Sequence, residues 1–324
     1  MDSVVVKNIT KHYTINAGLL KQFTGRSGVV QAVSDVSFSI DEKEIVGLVG
    51  ESGCGKTTLG KMLVKLEKAT NGSIQLNGKD ITHISNSMMR AFRRDIQIIF
   101  QDPYDSLDPK MTVYDIVAEP LQYLRLTNDK SETERRVKEI LEEVELTPVD
   151  QYIRRYPHRL SGGQRQRVAI ARALVVRPRF VVADEPVSML DVSIRAGILN
   201  LLQKLNQLEG IGILLITHDL ATARFLCNRI IVMYLGKIVE ISKPQELVDN
   251  PNHPYSQLLL SSAPDLFADA SEKVAIRGEI ASAMAPPEGC RFWPRCPKAT
   301  EYCTQHSPEL RQINTEHVVA CHHV

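Results

Sequence analysis

The most specific chemistry in the chain lies at the spacing G-x-x-x-x-G-K-[ST], here Gly50, Gly55, Lys56 and Thr57. An apolar run, Ile45 to Val49, precedes this motif, and a helical pattern begins after Lys56. Small residues at this spacing let backbone N–H groups turn toward an anion, and the positive end of the following helix points to the same place. The motif therefore predicts a phosphate-binding loop in which Lys56 neutralises phosphate charge and the Thr57 hydroxyl holds Mg²⁺. A plain glycine-rich turn would not require Lys and Thr directly after Gly55.

Two adjacent acids, Asp184 and Glu185, follow a second apolar run that starts at Phe180. Ligands gather at the carboxyl ends of parallel strands, so this position favours function over a solvated strand end. Successive residues of a strand point to opposite faces, and the two carboxylates therefore cannot share one role. One can belong to the Mg²⁺ shell while the other faces an attacking water. His218 follows the buried run Ile213 to Thr217 at the same kind of position, which favours a functional role for it as well.

The tract Leu160 to Leu174 predicts a helix with an unusual start. Ser161 and Gln164 have the S-x-x-Q spacing of a capping box, with Gly162 and Gly163 between them. Glycine costs about 1 kcal/mol in a helix relative to alanine, so two glycines at this point need a reason. Close approach of a ligand to the helix start would supply it.

The remaining pattern predicts the elements that position these residues. Val4 to Ile9 and Val33 to Ile40 indicate an antiparallel flank, with a loop or short insertion from Gly18 to Val30 between them. Further strands are predicted at Gly72 to Gly78, at Ile96 to Phe100 before Gln101, and in a hairpin from Ile230 to Ile241 that turns at Leu235-Gly236-Lys237. Residues 102–165 predict a helical insertion that includes a helix from Glu132 to Leu146, and Asp191 predicts the start of another helix.

Tyr13 stands at a strand end, where an aromatic ring can stack on a nucleotide base or simply pack against neighbours. The residue pattern alone leaves these two alternatives open.

The composition is that of an ordinary globular protein, with 324 residues, 43% hydrophobic, 24% charged and a net charge of +1. This balance gives no electrostatic case for nucleic acid as the main partner. No apolar run approaches the ~20 residues that a membrane span needs, and the N-terminus lacks a signal-peptide pattern. We therefore expect a cytoplasmic protein that contacts a membrane only through a partner.

Four of the six cysteines crowd the last part of the chain, whereas Cys54 lies in the phosphate loop and Cys227 is isolated. The four are Cys290, Cys296, Cys303 and Cys321. In a reducing cytosol such clustering suggests metal ligation rather than disulfides. The spacing C-x5-C-x6-C-x17-C fits no compact zinc-finger pattern, so Zn²⁺ and a [4Fe–4S] cluster both remain candidates.

Taken together, the segments GESGCGKTT, Gln101, LSGGQ, VVADEP, SMLD and THD resemble, in order and spacing, an ABC-transporter ATPase over roughly residues 4 to 245. The resemblance implies an α/β fold, a P-loop NTPase core with an antiparallel β flank, a helical subdomain and a small C-terminal cysteine-containing domain. The predicted division is 1–101 and 166–245 for the nucleotide-binding core, 102–165 for the helical signature subdomain and 246–324 for the C-terminal extension. Two ATP molecules would be sandwiched in a dimer.

The resemblance also implies a role for each motif residue. Tyr13 would stack on adenine, His218 would contact the γ-phosphate and help align Glu185, and Glu185 would polarise the attacking water. Mg²⁺ would be held by Thr57, Gln101 and Asp184. The phosphates would be bound by Gly50, Glu51, Ser52, Gly53, Cys54, Gly55, Lys56, Thr57 and Thr58. Ser161, Gly162, Gly163 and Gln164 would contact ATP across the dimer, and Asp191 belongs to the loop that couples the two sites. Met189 departs from the smaller residue usual in that loop.

The C-terminal segments HPYSQLL, Ser262-Ala263-Pro264 and GCRFWPRCPKATEYC resemble the extension of oligopeptide and dipeptide importer ATPases. The long segment between Tyr13 and Val33 resembles the second of the two ATPases in such systems. This implies a heterodimer with a related subunit, with a homodimer as the alternative, together with two membrane permeases and an external peptide-binding protein. Nickel importers share these C-terminal segments, so the resemblance does not decide between peptides and nickel as the transported solute. Some similar ATPases carry a [4Fe–4S] cluster, which we favour over zinc or free thiols and expect to be structural.

Two other classes compete with an importer subunit. A soluble ABC ATPase acting on DNA or ribosomes would be expected to carry a long coiled-coil or zinc insertion, or a second ATPase core, and the sequence has neither. A regulatory pseudo-ATPase is disfavoured because Lys56, Asp184, Glu185 and His218 are all present.

Overall fold

The computed structural model describes residues 2–15, 28–262 and 282–324. The predicted loop from Gly18 to Val30 lies mostly outside these residues, as do Ala263 and Pro264 of the C-terminal motif. The chain divides into two compact units, one of residues 1–3, 40–44 and 83–214 and the other of residues 4–39, 45–82 and 215–324. We call these the helical unit and the loop unit, since the second contains the phosphate loop. The division predicted at residues 102, 166 and 246 stays a prediction.

The strands of the described residues are β1 (Asp2–Ile15), β2 (Gly28–Asp41), β3 (Ile45–Val49), β4 (Asn71–Leu76), β5 (Lys79–Asp80), β6 (Ile96–Ile99), β7 (Phe180–Asp184), β8 (Gly212–Thr217), β9 (Arg229–Tyr234), β10 (Lys237–Ser242), β11 (Arg311–Asn314) and β12 (His317–Val319). The α-helices are α1 (Lys56–Leu63), α2 (Asn86–Phe92), α3 (Pro103–Ser106), α4 (Val113–Leu124), α5 (Lys130–Glu143), α6 (Val149–Tyr152), α7 (Gly162–Leu174), α8 (Val192–Glu209), α9 (Leu220–Leu226), α10 (Pro244–Asp249), α11 (Pro254–Ser261) and α12 (Glu301–Gln305).

The loop unit contains two groups of strands. One group has the order β2-β1-β4-β5 with antiparallel β1–β4 and β4–β5 pairs, which confirms the predicted flank. The other has the order β11-β12-β10-β9-β3, in which β3 and β9 are parallel and the remaining pairs are antiparallel. All five residues of β3 are buried, as its unbroken apolar run predicts. The predicted hairpin from Ile230 to Ile241 is confirmed as β9 and β10.

The helical unit carries β6 and β7, which pair in parallel, and the helices α2 to α8. The helical character predicted for residues 102–165 is confirmed by α3 to α6 and a 3₁₀ turn at Pro157–Arg159. The helix predicted at Glu132 begins two residues earlier because Asp129 caps it, with its carboxylate accepting the Glu132 N–H at 2.8 Å. β8 runs from the helical unit into the loop unit. None of the helices in the described ranges has the length and apolar character that crossing a bilayer requires.

Candidate functional site

The phosphate loop connects β3 to α1, and two of its glycines are required by close backbone contacts. A Cβ at Gly50 would lie 2.2 Å from the Met233 carbonyl oxygen, and one at Gly55 would lie 2.2 Å from the Ala32 carbonyl oxygen. Gly55 also has φ +105°, in the left-handed region that favours glycine. The loop therefore lies tightly against its own unit, and a side chain at either position would displace it.

The start of α1 is suited to bind an anion. Its N-cap residue, Gly55, has no side chain to satisfy the first N–H groups, and its first turn contains no acidic residue. Uncapped N–H groups and the helix dipole both favour negative charge at this point. Ser52, Gly53 and Thr57 are exposed around it. The geometry of the loop thus fits a phosphate group.

Lys56 is buried, with 5% of its surface exposed, and its ammonium group donates to the carbonyls of Gly50 at 2.7 Å and Glu51 at 2.9 Å. The Lys56 ammonium is therefore held by backbone carbonyls of the same loop in which it is predicted to neutralise phosphate charge. Cys54, also in the loop, is 5% exposed and lies with its sulfur 3.8 Å from the Lys56 nitrogen. Burial raises the pKa of Cys54, so this thiol stays neutral.

Tyr13, near the end of β1, lies beside the phosphate loop helix. Burial and the Glu67 carboxylate raise its pKa, while a hydrogen bond with Thr58 of α1 opposes them. The Lys11 ammonium lies 4.5 Å from the centre of the Tyr13 ring and also pairs with Glu67 at 2.6 Å. The ring is thus fixed by Lys11 and Thr58, and its stacking on adenine stays a prediction.

In the helical unit, Asp184 ends β7 and is 4% exposed, and Glu185 follows it with φ +46°. A left-handed backbone at a glutamate is strained and is held here by the Ser188 N–H and hydroxyl, which donate to the Glu185 carbonyl at 3.2 and 3.1 Å. The structure brings Gln101 to Glu185, with the Gln101 amide donating to a Glu185 carboxylate oxygen at 3.0 Å. This contact links two of the predicted site residues across 84 positions of sequence.

The predicted capping box at the start of α7 is confirmed. The Ser161 hydroxyl accepts the Gln164 N–H at 3.3 Å, and the Gln164 side chain accepts the Ser161 N–H at 3.0 Å. The structure adds a packing reason for one glycine, because a Cβ at Gly163 would lie 2.6 Å from Cγ2 of Ile194. A Cβ at Gly162 would be 3.5 Å from Leu190, an ordinary contact. Ligand approach is thus needed only to explain Gly162.

Asp191 stands at the N-cap of α8, as predicted, although its side chain makes no capping hydrogen bond. Met189 and Val192 on either side are 61% and 79% exposed, which leaves an apolar surface around Asp191. In the loop unit, His218 directly follows β8 and is exposed. The predicted site residues therefore fall in both units. The loop unit contains Gly50 to Thr58, Tyr13 and His218. The helical unit contains Gln101, Ser161 to Gln164, Asp184, Glu185 and Asp191.

The four C-terminal cysteines are free thiols in the structure. The Cys303 sulfur lies 3.3 Å from the Thr300 hydroxyl and 3.4 Å from a His323 ring nitrogen. Burial, together with the neighbouring Cys296, Cys303 and Cys321, raises the pKa of Cys290 to about 11, so it is neutral. Among the described residues there is no group of three or more His, Cys, Asp or Glu side chains that could hold a metal ion. The predicted four-cysteine ligand set is therefore not assembled in this structure.

The sequence analysis gave no role to two residues that contact the phosphate loop. Tyr255 accepts the Glu51 N–H at 2.8 Å, and Arg295 donates to the Glu51 carboxylate at 2.7 and 3.0 Å. Both stand in the C-terminal motifs, but these lie more than 200 residues from the loop, and no local pattern indicates the contact.

Comparison with known proteins gives two family matches. The ABC transporter family model matches residues 33–188, and the model of the oligopeptide/dipeptide transporter C-terminal region matches residues 239–303. An oligopeptide transport ATP-binding protein of Bacillus subtilis is 43% identical over 321 residues, covering 98% of this chain and 96% of its own. A di/tripeptide transport ATP-binding protein of Pseudomonas aeruginosa is 41% identical over 325 residues, covering 100% of this chain and 98% of its own.

A solved structure is similar to about three quarters of the chain. It is a dimeric ATP-binding cassette in a post-hydrolysis state with ADP and Pi, 33% identical with a TM-score of 0.65, and the match covers 74% of this chain and 98% of that chain. The predicted fold class is confirmed by this similarity.

Proposed function

The chain belongs to the ABC transporter family and is an ATPase of that family, and from this premise we propose that it is the energy-coupling subunit of an importer for dipeptides or oligopeptides. The observation that carries the proposal is the presence in one chain of both matched regions, the ATP-binding region and the oligopeptide/dipeptide transporter C-terminal region. Relatives named for peptide transport at 41% and 43% identity over nearly the whole chain support the cargo class.

In this proposal the substrate is ATP. Residues Gly50 to Thr58 form the loop that binds the phosphates, with Lys56 exchanging its loop carbonyls for phosphate oxygens, and Tyr13 stacks on the base. Thr57, Asp184 and Gln101 are the residues that would hold Mg²⁺. When bound, the ion would neutralise negative charge on the phosphates.

Hydrolysis is assigned to Glu185, which polarises the attacking water. Its hydrogen bond to Gln101 and its fixed backbone at φ +46° support this assignment, because both restrict where the carboxylate points. His218 assists by contacting the γ-phosphate and aligning Glu185.

The working form is a dimer in which each phosphate loop faces the Ser161 to Gln164 segment of the other subunit. The N-terminus of α7 then presents its dipole to the γ-phosphate of the partner's nucleotide. The exposed apolar side chains beside Asp191 support a contact at this surface. We propose a related ATPase as the partner and two permeases as the membrane components, so that the protein works on the cytoplasmic face of the cell membrane, with an external peptide-binding protein delivering cargo.

The test is co-expression with membrane permeases of a peptide importer, followed by purification from the membrane fraction and reconstitution in vesicles. We expect co-purification and ATP-dependent uptake of short peptides. Uptake of Ni²⁺ instead of peptides would assign the protein to nickel import. Recovery free of the permeases, with ATPase activity unaffected by them, would contradict a transport function and favour a soluble ABC ATPase.

We also propose that Cys290, Cys296, Cys303 and Cys321 hold a metal centre, a [4Fe–4S] cluster in preference to Zn²⁺, which would supply a structural cross-link in the extension. The soft thiol donors and their location in one short segment support this proposal, although the ligand set is not assembled in the structure. Anaerobic purification should give a brown protein with about four iron atoms per chain. Cys303→Ser should remove the iron and Cys227→Ser should retain it. Stoichiometric zinc without iron, or a colourless protein without metal, would contradict the assignment of a [4Fe–4S] cluster.

A further inference from the structure

We infer that Arg295 of the C-terminal extension is a positioning residue for ATP binding, which acts by fixing Glu51 of the phosphate loop. The inference rests on the proposed nucleotide-binding function and adds to it a role for the extension. All residues that carry it lie in the loop unit.

The contact between Arg295 and Glu51 is a paired, two-point interaction. One guanidinium nitrogen of Arg295 lies 2.7 Å from one Glu51 oxygen, and the second lies 3.0 Å from the other. The side chain of Arg295 is 5% exposed and that of Glu51 is 25% exposed. A bidentate arginine fixes both the position and the plane of a carboxylate, and burial protects the pair from screening by salt. The side chain of this loop residue is therefore held in one orientation.

The backbone of Glu51 is held as well. Its N–H donates to the Tyr255 hydroxyl at 2.8 Å, and its carbonyl accepts from the Lys56 ammonium at 2.9 Å. Tyr255 is completely buried in α11, which makes it a rigid acceptor. Glu51 is thus fixed on one side by two residues of the extension and on the other by the loop lysine.

ATP binding changes only one of these contacts. When Lys56 turns to the phosphates, it leaves the carbonyls of Gly50 and Glu51, and the loop loses its internal ammonium bridge. The bonds from Arg295 and Tyr255 do not involve the lysine and remain. Together with the Cys54 N–H, which donates to the Glu51 carbonyl at 3.3 Å, they keep the loop in its binding shape when the ammonium bridge is released, and such preorganisation lowers the entropic cost of binding.

The surroundings of Arg295 explain how a remote segment can hold the loop firmly. The guanidinium carbon lies 5.8 Å from the ring centres of both Tyr234 and Phe292, and the Tyr234 and Tyr255 rings are 4.6 Å apart. Tyr234 ends β9, so the cluster joins the extension to the core strands. Arg295 is therefore packed beside the aromatic cluster, which restricts the movement of its side chain.

The experiment measures Mg²⁺-ATP affinity and steady-state hydrolysis for wild type, Arg295→Met, Arg295→Lys, Glu51→Gln and the Arg295→Met/Glu51→Gln double variant. We expect Arg295→Met to weaken ATP binding and raise KM about tenfold with kcat changed by about twofold or less, because the lost interaction prepares the loop and does not touch the reacting atoms. Arg295→Lys keeps the charge and should recover part of the loss. Lys298→Met, which removes an exposed cation from the same extension, is the matched control and should bind as wild type.

The double variant decides whether Arg295 acts through Glu51. If it does, the double variant binds ATP as weakly as either single variant, whereas independent effects multiply to about a hundredfold and contradict the inference. Unchanged affinity in Arg295→Met also contradicts it. Thermal unfolding without nucleotide identifies a variant that fails to fold, and Arg295→Lys then decides the question by its own affinity. If wild type itself binds no ATP, the proposed function fails. If wild type binds ATP and Arg295→Met binds it equally well, only the inference about Arg295 fails.

Discussion

At the scale of single residues, Glu185 combines a chemical role with an unusual backbone. It stands at φ +46° directly after the buried Asp184, and its carboxylate accepts from Gln101 at 3.0 Å. The strained backbone and this hydrogen bond hold the Glu185 side chain in position. An isosteric substitution can therefore remove its chemical function without moving the backbone around it.

We predict that Glu185→Gln abolishes turnover and keeps ATP binding. The amide is nearly isosteric with the carboxylate but cannot polarise water as a base, so the hydrolysis rate should fall by about 100-fold or more. Phosphate release measures the rate, and nucleotide titration measures the affinity, which should stay within about twofold of wild type.

Glu145→Gln is the matched control, because Glu145 also has a positive φ, +57°, and lies in an exposed ion pair with Arg167 at 2.9 Å. It should hydrolyse ATP at the wild-type rate. Normal hydrolysis by Glu185→Gln would show that another group activates the water.

At the scale of secondary-structure elements, the start of α7 is fixed by its packing on α8. A Cβ at Gly163 would lie 2.6 Å from Cγ2 of Ile194, an atom that can move away only if the stiff χ1 angle of this β-branched side chain rotates or the backbone shifts. A Cβ at Gly162 would meet Leu190 at 3.5 Å. Two adjacent glycines thus have different tolerance for a methyl group.

We predict that Gly163→Ala lowers the free energy of unfolding by about 1–3 kcal/mol, the usual cost of overpacking. Gly162→Ala should leave it unchanged or raise it by up to about 1 kcal/mol, since alanine favours the helix. Urea unfolding of the two variants measures the difference. Equal stability of both would mean that α7 and α8 can separate without cost.

The start of α11 contains a histidine cap that is sensitive to acid. His253 is 1% exposed, and its Nδ1 accepts the Tyr255 N–H at 3.0 Å, so protonation would remove the acceptor. Burial lowers the pKa of His253 from 6.5 to about 3. Between these values the unfolded chain binds a proton that the folded chain does not, so stability is complete above pH 6.5 and falls as the pH decreases toward 3.

We predict that His253→Asn, which keeps a capping acceptor but does not titrate, flattens this dependence. From pH 6.5 to 5, wild type should lose about 1.6 kcal/mol more than the variant, because the slope rises from half to nearly all of 1.36 kcal/mol per pH unit over this range. Chemical unfolding at each pH gives the comparison. His83→Asn, at an exposed histidine, should keep the wild-type slope, and a wild-type slope in His253→Asn would assign the acid sensitivity to other groups.

At the scale of the whole molecule, the two ends of α8 offer a test of the proposed dimer. Val192 at its start is 79% exposed, and Leu208 near its end is 70% exposed. Only Val192 lies beside Asp191, in the segment assigned to the dimer contact. An aspartate at each position therefore places the same charge on the same helix, inside and outside the proposed interface.

We predict that Val192→Asp weakens nucleotide-dependent association with the partner ATPase by about tenfold or more, since a buried interface charge without a partner costs well over 1 kcal/mol. Leu208→Asp should associate as wild type. Sedimentation of the Glu185→Gln form with Mg²⁺-ATP measures both. Equal association of the two variants would remove this segment from the interface.

Local patterns predict most of the fold. The unbroken apolar runs of β3, β7 and β8 locate these strands to within a residue because burial on both faces leaves no polar break. β1 and β2 extend beyond the predicted runs, since hydrogen-bond ladders continue through polar residues such as Lys11 and Gln31. The bidentate contact of Arg295 with Glu51 joins residues 244 positions apart, and such pairs depend on tertiary packing that no local spacing encodes.

The strand order around β10 has a consequence for the synthesis of the protein. β10 pairs with β12 on one side, and β12 pairs in turn with β11, whose four residues are all exposed. Until residues 317–319 leave the ribosome, β10 has no partner on this edge. The edge, which includes Ile238 and Ile241, can then pair with a strand of another growing chain. The polar strand β11 then becomes the outer edge, so a nascent chain stalled before residue 311 leaves the edge of β10 uncovered and exposed to aggregation and to quality-control proteases.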